Sequence, residues 1–149
     1  MKVLLDVNVI VDILGATEDV FYSVQALDVI ILRGFQPCMV VSEAATVQYV
    51  LSARKYTSAD RALAAIEGIS ELLTVLDATE ADFRSALNEP LGDFEDAMLA
   101  WAARRHGVDL IVTRNLRDFR KSPVAAMTPQ QFCDVYRPEG YDYDLVKLE

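Results

Sequence analysis

Short apolar runs alternate with longer stretches of helical periodicity, and this alternation constrains the chain more than any other feature. Residues 3–5, 39–41, 74–76 and 110–112 are such runs, and 124–127 is a weaker fifth. Each is too short for a helix, and runs with no polar residue between suit parallel strands covered on both faces. The intervening stretches predict helices over 8–14, 20–33, 43 to about 54, 59–73, 80 to about 88 and 93–106, with a last helix over 129–136. Val20, Val24, Leu27 and Ile31 recur at helical spacing, and Gly15, Gly34 and Gly107 follow helical stretches as stop signals. Ser42 and Ser58 are N-cap residues, Thr79 to Asp82 resembles a capping box, and Pro129 suits a first helical turn. Strands alternating with helices imply an α/β fold, a three-layer sandwich with a central parallel sheet of about five strands flanked by helices. With 149 residues and no Gly/Ser-rich linker, the chain is expected to form one domain over 1–137, followed by an acidic tail over 138–149.

Composition narrows the class of protein. Hydrophobic residues make up 52% and charged residues 25%, which is globular rather than disordered. No apolar stretch approaches the roughly 18 residues of a membrane span, and Asp6, Asn8 and Asp12 interrupt the apolar start where a signal peptide would continue. The expectation is a cytoplasmic protein with Cys38 and Cys133 as buried free thiols. Fourteen Lys and Arg against 23 Asp and Glu give a net charge of −9, the opposite of the usual nucleic-acid footprint. A chain of this charge that acts on nucleic acid must concentrate its cations or bind metal at its acids. Arg114, Arg117, Arg120 and Lys121 form one such concentration.

In an open parallel sheet, ligands bind beyond the carboxyl ends of the strands. Asp6 and Asn8 follow the first strand, Ser42 and Glu43 the second, and Thr113, Asn115 and Asp118 the fourth. Asp93, Glu95 and Asp96 open the clearest helix. Converging carboxylates need a cation, and hard divalent ions with oxygen ligands provide it. The chemistry that suits such a site is phosphodiester hydrolysis. Each acid also has a plain structural reading. Asp6 could finish a strand, Asp118 could form a turn, and Asp93 suits the N-cap better than a site. Asp96 borders the apolar face of its helix, where a functional role is the better reading. There is no phosphate-binding glycine loop, zinc spacing or nucleophile elbow. His106, the single histidine, stands at a helix end.

Together these pieces resemble a known family. MKVLLDVNVIVDIL, DFEDAMLAWAARRHGVDLIVTRNLRDF and SPVAAMTPQQF look like the PIN domain, and most like the VapC-type toxins of toxin–antitoxin pairs. The resemblance extends to about residue 136. It implies Mg²⁺ or Mn²⁺ as cofactor, single-stranded RNA as substrate, a homodimer and a protein antitoxin. Carried over by motif, Asp6, Asp96 and Asp118 match the family's metal acids. Asn115 completes the metal shell, and Thr113 resembles the hydroxyl that holds this edge of the site. Asn8 and Asp93 support it, and Arg114, Arg117, Arg120 and Lys121 are expected to hold RNA. The second acid is open. Aligning the helix through Ser42 and Arg54-Lys55 puts Gln48 at the family's Glu, whereas Glu43 is the nearest carboxylate.

Three functions follow. The first is a metal-dependent endoribonuclease toxin that cleaves single-stranded RNA. The second is a catalytically weak or inactive PIN-fold protein that binds a partner or RNA without cleavage, which Gln48 would favour. The third is a phosphoacceptor or phosphatase with Asp6 as nucleophile, disfavoured by the Thr-Arg-Asn-x-x-Asp-Phe motif and the lack of a placed Lys.

Overall fold

The computed structural model describes residues 1–141. Most of the acidic stretch expected as a tail over 138–149, Tyr143 included, lies outside them. Five parallel strands form one sheet in the order β3-β2-β1-β4-β5. They are β1 (Lys2–Leu5), β2 (Gln36–Val40), β3 (Thr74–Leu76), β4 (Leu110–Val112) and β5 (Ala126–Met127). The helices are α1 (Val7–Gly15), α2 (Val20–Leu32), α3 (Glu43–Ala53), α4 (Ala59–Ser70), α5 (Glu80–Asn88), α6 (Phe94–Arg105) and α7 (Pro129–Tyr136), and a short 3-10 turn spans Leu116–Phe119.

The period-two geometry of the strands divides the core into two layers. Val3 and Leu5 of β1, Met39 of β2 and Val112 of β4 join one cluster, with residues of α1, α2, α3, α4 and α7 such as Ile10, Ile30, Leu51, Ile69 and Phe132. Leu4, Cys38, Val40 and Ile111 point to the other face, against Leu99, Ala100 and Ala103 of α6 and Phe119. Burying one Leu, Ile or Phe contributes about 1.5–3 kcal/mol, so these layers supply the drive to fold. Both cysteines are free and buried, as expected. Among the described residues no helix is long and apolar enough to cross a membrane.

Several boundaries differ from the sequence reading for identifiable reasons. Strand β2 takes in Pro37, near its start, where a missing N–H is tolerated. β5 begins only at Ala126, because Ser122 captures Val124 on both sides. The Ser122 hydroxyl donates to the Val124 carbonyl and accepts from the Val124 N–H. Gly15 belongs to α1, and Ala16 takes the left-handed conformation after it. Gly15 is a close-packed position instead: a β-carbon there would meet Leu51 Cδ2 at 3.0 Å and the Tyr56 ring at 3.3 Å, so both would have to give by a few tenths of an ångström. Gly34 and Gly107, both at φ +68°, follow α2 and α6 as expected. The capping box of Thr79 and Asp82 forms at α5, and a second joins Thr128 to Gln131 at α7.

The connection from β1 runs to β2 on one side, whereas β4 lies on the other. The order of the sheet therefore reverses at β1 and β4, which opens a crevice beyond their carboxyl ends.

Candidate active site

Asp6 stands at that reversal. It caps α1 by accepting the Val7 N–H at 2.7 Å, and its second carboxylate oxygen accepts the Thr113 hydroxyl at 2.8 Å. Thr113, fully buried just past β4, in turn accepts the Asn115 N–H at 3.0 Å. One hydroxyl thus ties the two central strands together and sets the turn that follows. Asn115 donates from its side-chain amide to Asp118 and holds that carboxylate at the groove. Asp93 is the N-cap of α6, accepting the Asp96 N–H at 3.0 Å. Asp96 points from the first turn of the helix toward the same space.

These residues line one groove of about 370 Å³, with Asp6, Asn8, Glu43, Asp93, Asp96, Asn115 and Asp118 all on its wall. Glu43 is the most buried of them. It is 2% exposed, and Oε1 accepts the Val40 N–H at 2.9 Å. Oε2 is buried without a hydrogen-bond partner among the described residues. A buried carboxylate oxygen without a donor is costly, and it marks the place where a cation or a proton belongs.

Gln48 lies elsewhere. On α3, Glu43, Thr46 and Val50 line the groove, which is a helical stripe at spacings of three and four. Gln48 is five residues past Glu43, about 140° around the helix. Its amide reaches the Ala59 carbonyl of α4 at 3.4 Å. The acid beside Asp6 is therefore Glu43.

Arg114 also departs from the grouping made in sequence. It forms a two-pronged ion pair with Asp12, at 2.7 and 3.2 Å, and reaches Asp19 at 3.3 Å. Asp12 is fully buried and also accepts the hydroxyls of Thr17 and Ser23. This pairing fixes the start of the loop that carries Asn115 and Asp118. Arg117, Arg120 and Lys121 remain exposed and line an adjoining cleft with Pro90, Leu91 and Gly92. Asp118 borders both spaces.

The electrostatics match a crowded acid site. Burial pushes the Asp6 carboxyl above its usual range, against the hydrogen bonds from Thr113 and Val7. Burial and then the charge of Asp6 push Glu43 well above its own. Burial followed by the charges of Asp6, Asp93, Asp118 and Glu95 raises Asp96 to about 7. Among the described residues no three His, Cys, Asp or Glu side chains already close on a common point. Mg²⁺ does not need such a cage, because it binds through one or two carboxylates and keeps several waters. The all-oxygen donor set and the orphaned Glu43 oxygen fit such an ion. Asp6, Glu43, Asp96 and Asp118 could hold it, with Asn115 as a neutral oxygen ligand.

Sequence reasoning missed Thr46 and Phe94 on the groove wall, and Gly92 against Asp118, whereas Glu95, named with Asp93 and Asp96 at the helix start, does line the groove. The spacing of Thr46 from Glu43 was the available signal for the first.

An α/β sandwich with carboxylates gathered at its switch point is an α/β fold with an acidic ligand crevice. Comparison with known proteins gives its family. The PIN domain model matches residues 2–117, and the chain belongs to the PIN-domain family, whose members are generally nucleases. No curated protein matches. Among solved structures, VapBC2 from Rickettsia felis, bound to a DNA fragment of its promoter, is similar at a TM-score of 0.65 and 17% identity, covering 86% of this chain and 98% of that one. VapBC-1 from nontypeable Haemophilus influenzae gives a TM-score of 0.62 at 18% identity, covering 87% and 99%. A toxin–antitoxin complex from Klebsiella pneumoniae gives 0.60 at 20%, covering 85% and 97%. At these identities the likeness is one of fold.

Proposed function

We propose that this protein is a metal-dependent endoribonuclease that cleaves single-stranded RNA, the toxin of a toxin–antitoxin pair. The observation that carries this reading is the partnerless Glu43 oxygen, buried beside Asp6 and Asp96 in an open groove. A bound Mg²⁺ or Mn²⁺ supplies neutralisation of the acids and activation of water for attack on a phosphodiester. Asp6 and Glu43 give the site its fixed oxygen ligands, because hydrogen bonds from the Val7 N–H, the Thr113 hydroxyl and the Val40 N–H hold them in place. Asp96 of α6 and Asp118 of the 3-10 turn, less buried, complete the ligand set, with Asn115 orienting Asp118. Arg117, Arg120 and Lys121 hold the RNA backbone beside the groove, which offsets a net charge of −9 locally.

The toxin assignment draws on the family and on fold neighbours solved as toxin–antitoxin complexes. A protein antitoxin that covers the acidic groove, a cytoplasmic location and a homodimer belong to the same reading. For the dimer, the apolar run at the end of α2 supports a second surface. Val29 and Ile30 are buried, whereas Ile31 and Leu32 are 47% and 45% exposed.

The deciding experiment is an assay of the purified protein, free of any antitoxin, on several unstructured RNAs with Mn²⁺ or Mg²⁺. Cleavage that is abolished by chelator and by Asp6→Asn is the expected result. Binding without cleavage by the wild type would instead establish the non-catalytic reading, which Gln48, turned toward α4, does not favour.

A further inference from the structure

Among the described residues, Phe94 is the one large aromatic on the wall of the acidic groove, and neither hydrophobic core contains it. It opens α6 between the N-cap Asp93 and the carboxylate of Asp96, and it is 45% exposed. A site that needed only acids and a metal has no use for an open apolar ring. Phe83 of α5 braces it, ring centroids 6.1 Å apart and planes at 86°, and the Arg84 guanidinium lies 5.4 Å from the centre of the Phe83 ring. A braced ring loses little freedom on binding. The track leading to it is also continuous. The cleft lined by Arg117, Arg120 and Lys121 meets the groove at Asp118, and Gly92 of that cleft precedes the groove residues Asp93 and Phe94 in the chain.

We infer that Phe94 is the platform on which a base of the substrate RNA stacks, next to the phosphate presented to the carboxylates, with Phe83 as its brace. This rests on the ribonuclease reading above. Phosphate contacts position a strand, whereas an aromatic face engages the base itself and accepts any of the four. Phe94 therefore selects single strands, whose bases are free to leave their neighbours, over duplexes.

The test is fluorescence anisotropy of a labelled oligouridylate and of an abasic strand of equal length, with Ca²⁺ in place of the activating metal. Phe94→Leu keeps apolar volume and removes the aromatic face, whereas Phe94→Tyr and Phe94→Trp keep that face. Phe94→Leu should weaken oligouridylate binding roughly five- to a hundred-fold, while Tyr and Trp retain it. The abasic strand should bind weakly to all four proteins, without distinguishing them. Thermal melting checks that each variant folds, and the Tyr/Leu contrast stands if one of the others does not. Equal oligouridylate affinity of wild type and Phe94→Leu would overturn the inference and leave the ribonuclease reading intact. An abasic strand held as tightly as oligouridylate by the wild type would do the same. A wild type that neither binds nor cleaves RNA would overturn both.

Discussion

A β-carbon built on Gly92 would stand 2.9 Å from Oδ1 of Asp118. Such contact is closer than carbon and oxygen tolerate, so any side chain at 92 displaces the carboxylate or the loop before α6. Asn115 holds Asp118 from the other side, so the acid cannot withdraw freely. Gly92→Ala should lower kcat by about ten- to a hundred-fold, the cost of moving a catalytic group by roughly 1 Å. Steady-state cleavage rates beside a melting curve check this. Unchanged rates would show that Asp118 moves aside without consequence.

Glu43 and Gln48 make opposite predictions. Glu43→Gln should remove activity as severely as Asp6→Asn and abolish the rise in melting temperature on adding Mg²⁺ or Mn²⁺. Gln48→Glu should leave both near wild type, because residue 48 faces α4. Activity gained in Gln48→Glu would return that position to the site.

The raised carboxyls also fix how stability depends on pH. Asp96 is raised to about 7 by burial and by Asp6, Asp93, Asp118 and Glu95, and Asp6 and Glu43 are raised as well. The folded state therefore holds protons that the unfolded chain has already lost, and stability falls as pH rises from about 4 through 7. A divalent cation reverses this, so its stabilising effect should grow over the same interval. Asp96→Asn should flatten the dependence. Melting temperatures from pH 4 to 8, with Mg²⁺ or EDTA, measure it. Metal stabilisation that is constant across that range would refute the linkage.

Arg114 and its basic neighbours separate by readout. Arg114→Ala strands the buried charge of Asp12 and should destabilise the protein by about 2–3 kcal/mol, less than a fully buried pair because Arg114 is 35% exposed. Arg117→Ala and Arg120→Ala should leave stability nearly unchanged, weaken RNA binding and reduce its salt dependence by about one phosphate contact each. Denaturant melts and binding at several salt concentrations distinguish the two classes.

If the outer face of α2 joins two copies, Ile31→Glu should dissociate them. Light scattering of wild type and variant decides this, and a monomeric wild type at micromolar concentration would end the claim.

The sheet and most helices were legible in the sequence because period, caps and stop signals agree with the tertiary fold. Asp6 and Asp96 were legible because strand ends and helix starts are where such a fold places its ligands. The choice between Glu43 and Gln48 was not. It turns on helical phase relative to the groove, and a motif alignment carries no phase. The ion pair of Arg114 with Asp12 was not legible, because a run of cations reads as one surface and carries no sign of a partner 102 positions away. Gly92 and Phe94 stayed invisible as site residues, since a close approach and an exposed ring are properties of neighbours distant in sequence.

The pairing of Val3 with Leu110 and the bond from Thr113 to Asp6 join residues 107 positions apart. Contacts of such high order form late, after the intervening chain is available to close the loop. During synthesis, β1 can find β2 early, but its other edge stays open until β4 has left the ribosome. At about 5–20 residues per second, Asp6 waits on the order of ten seconds for its hydroxyl partner. The nascent chain thus has no assembled acid groove until β4 and the turn that carries Asn115 and Asp118 have emerged.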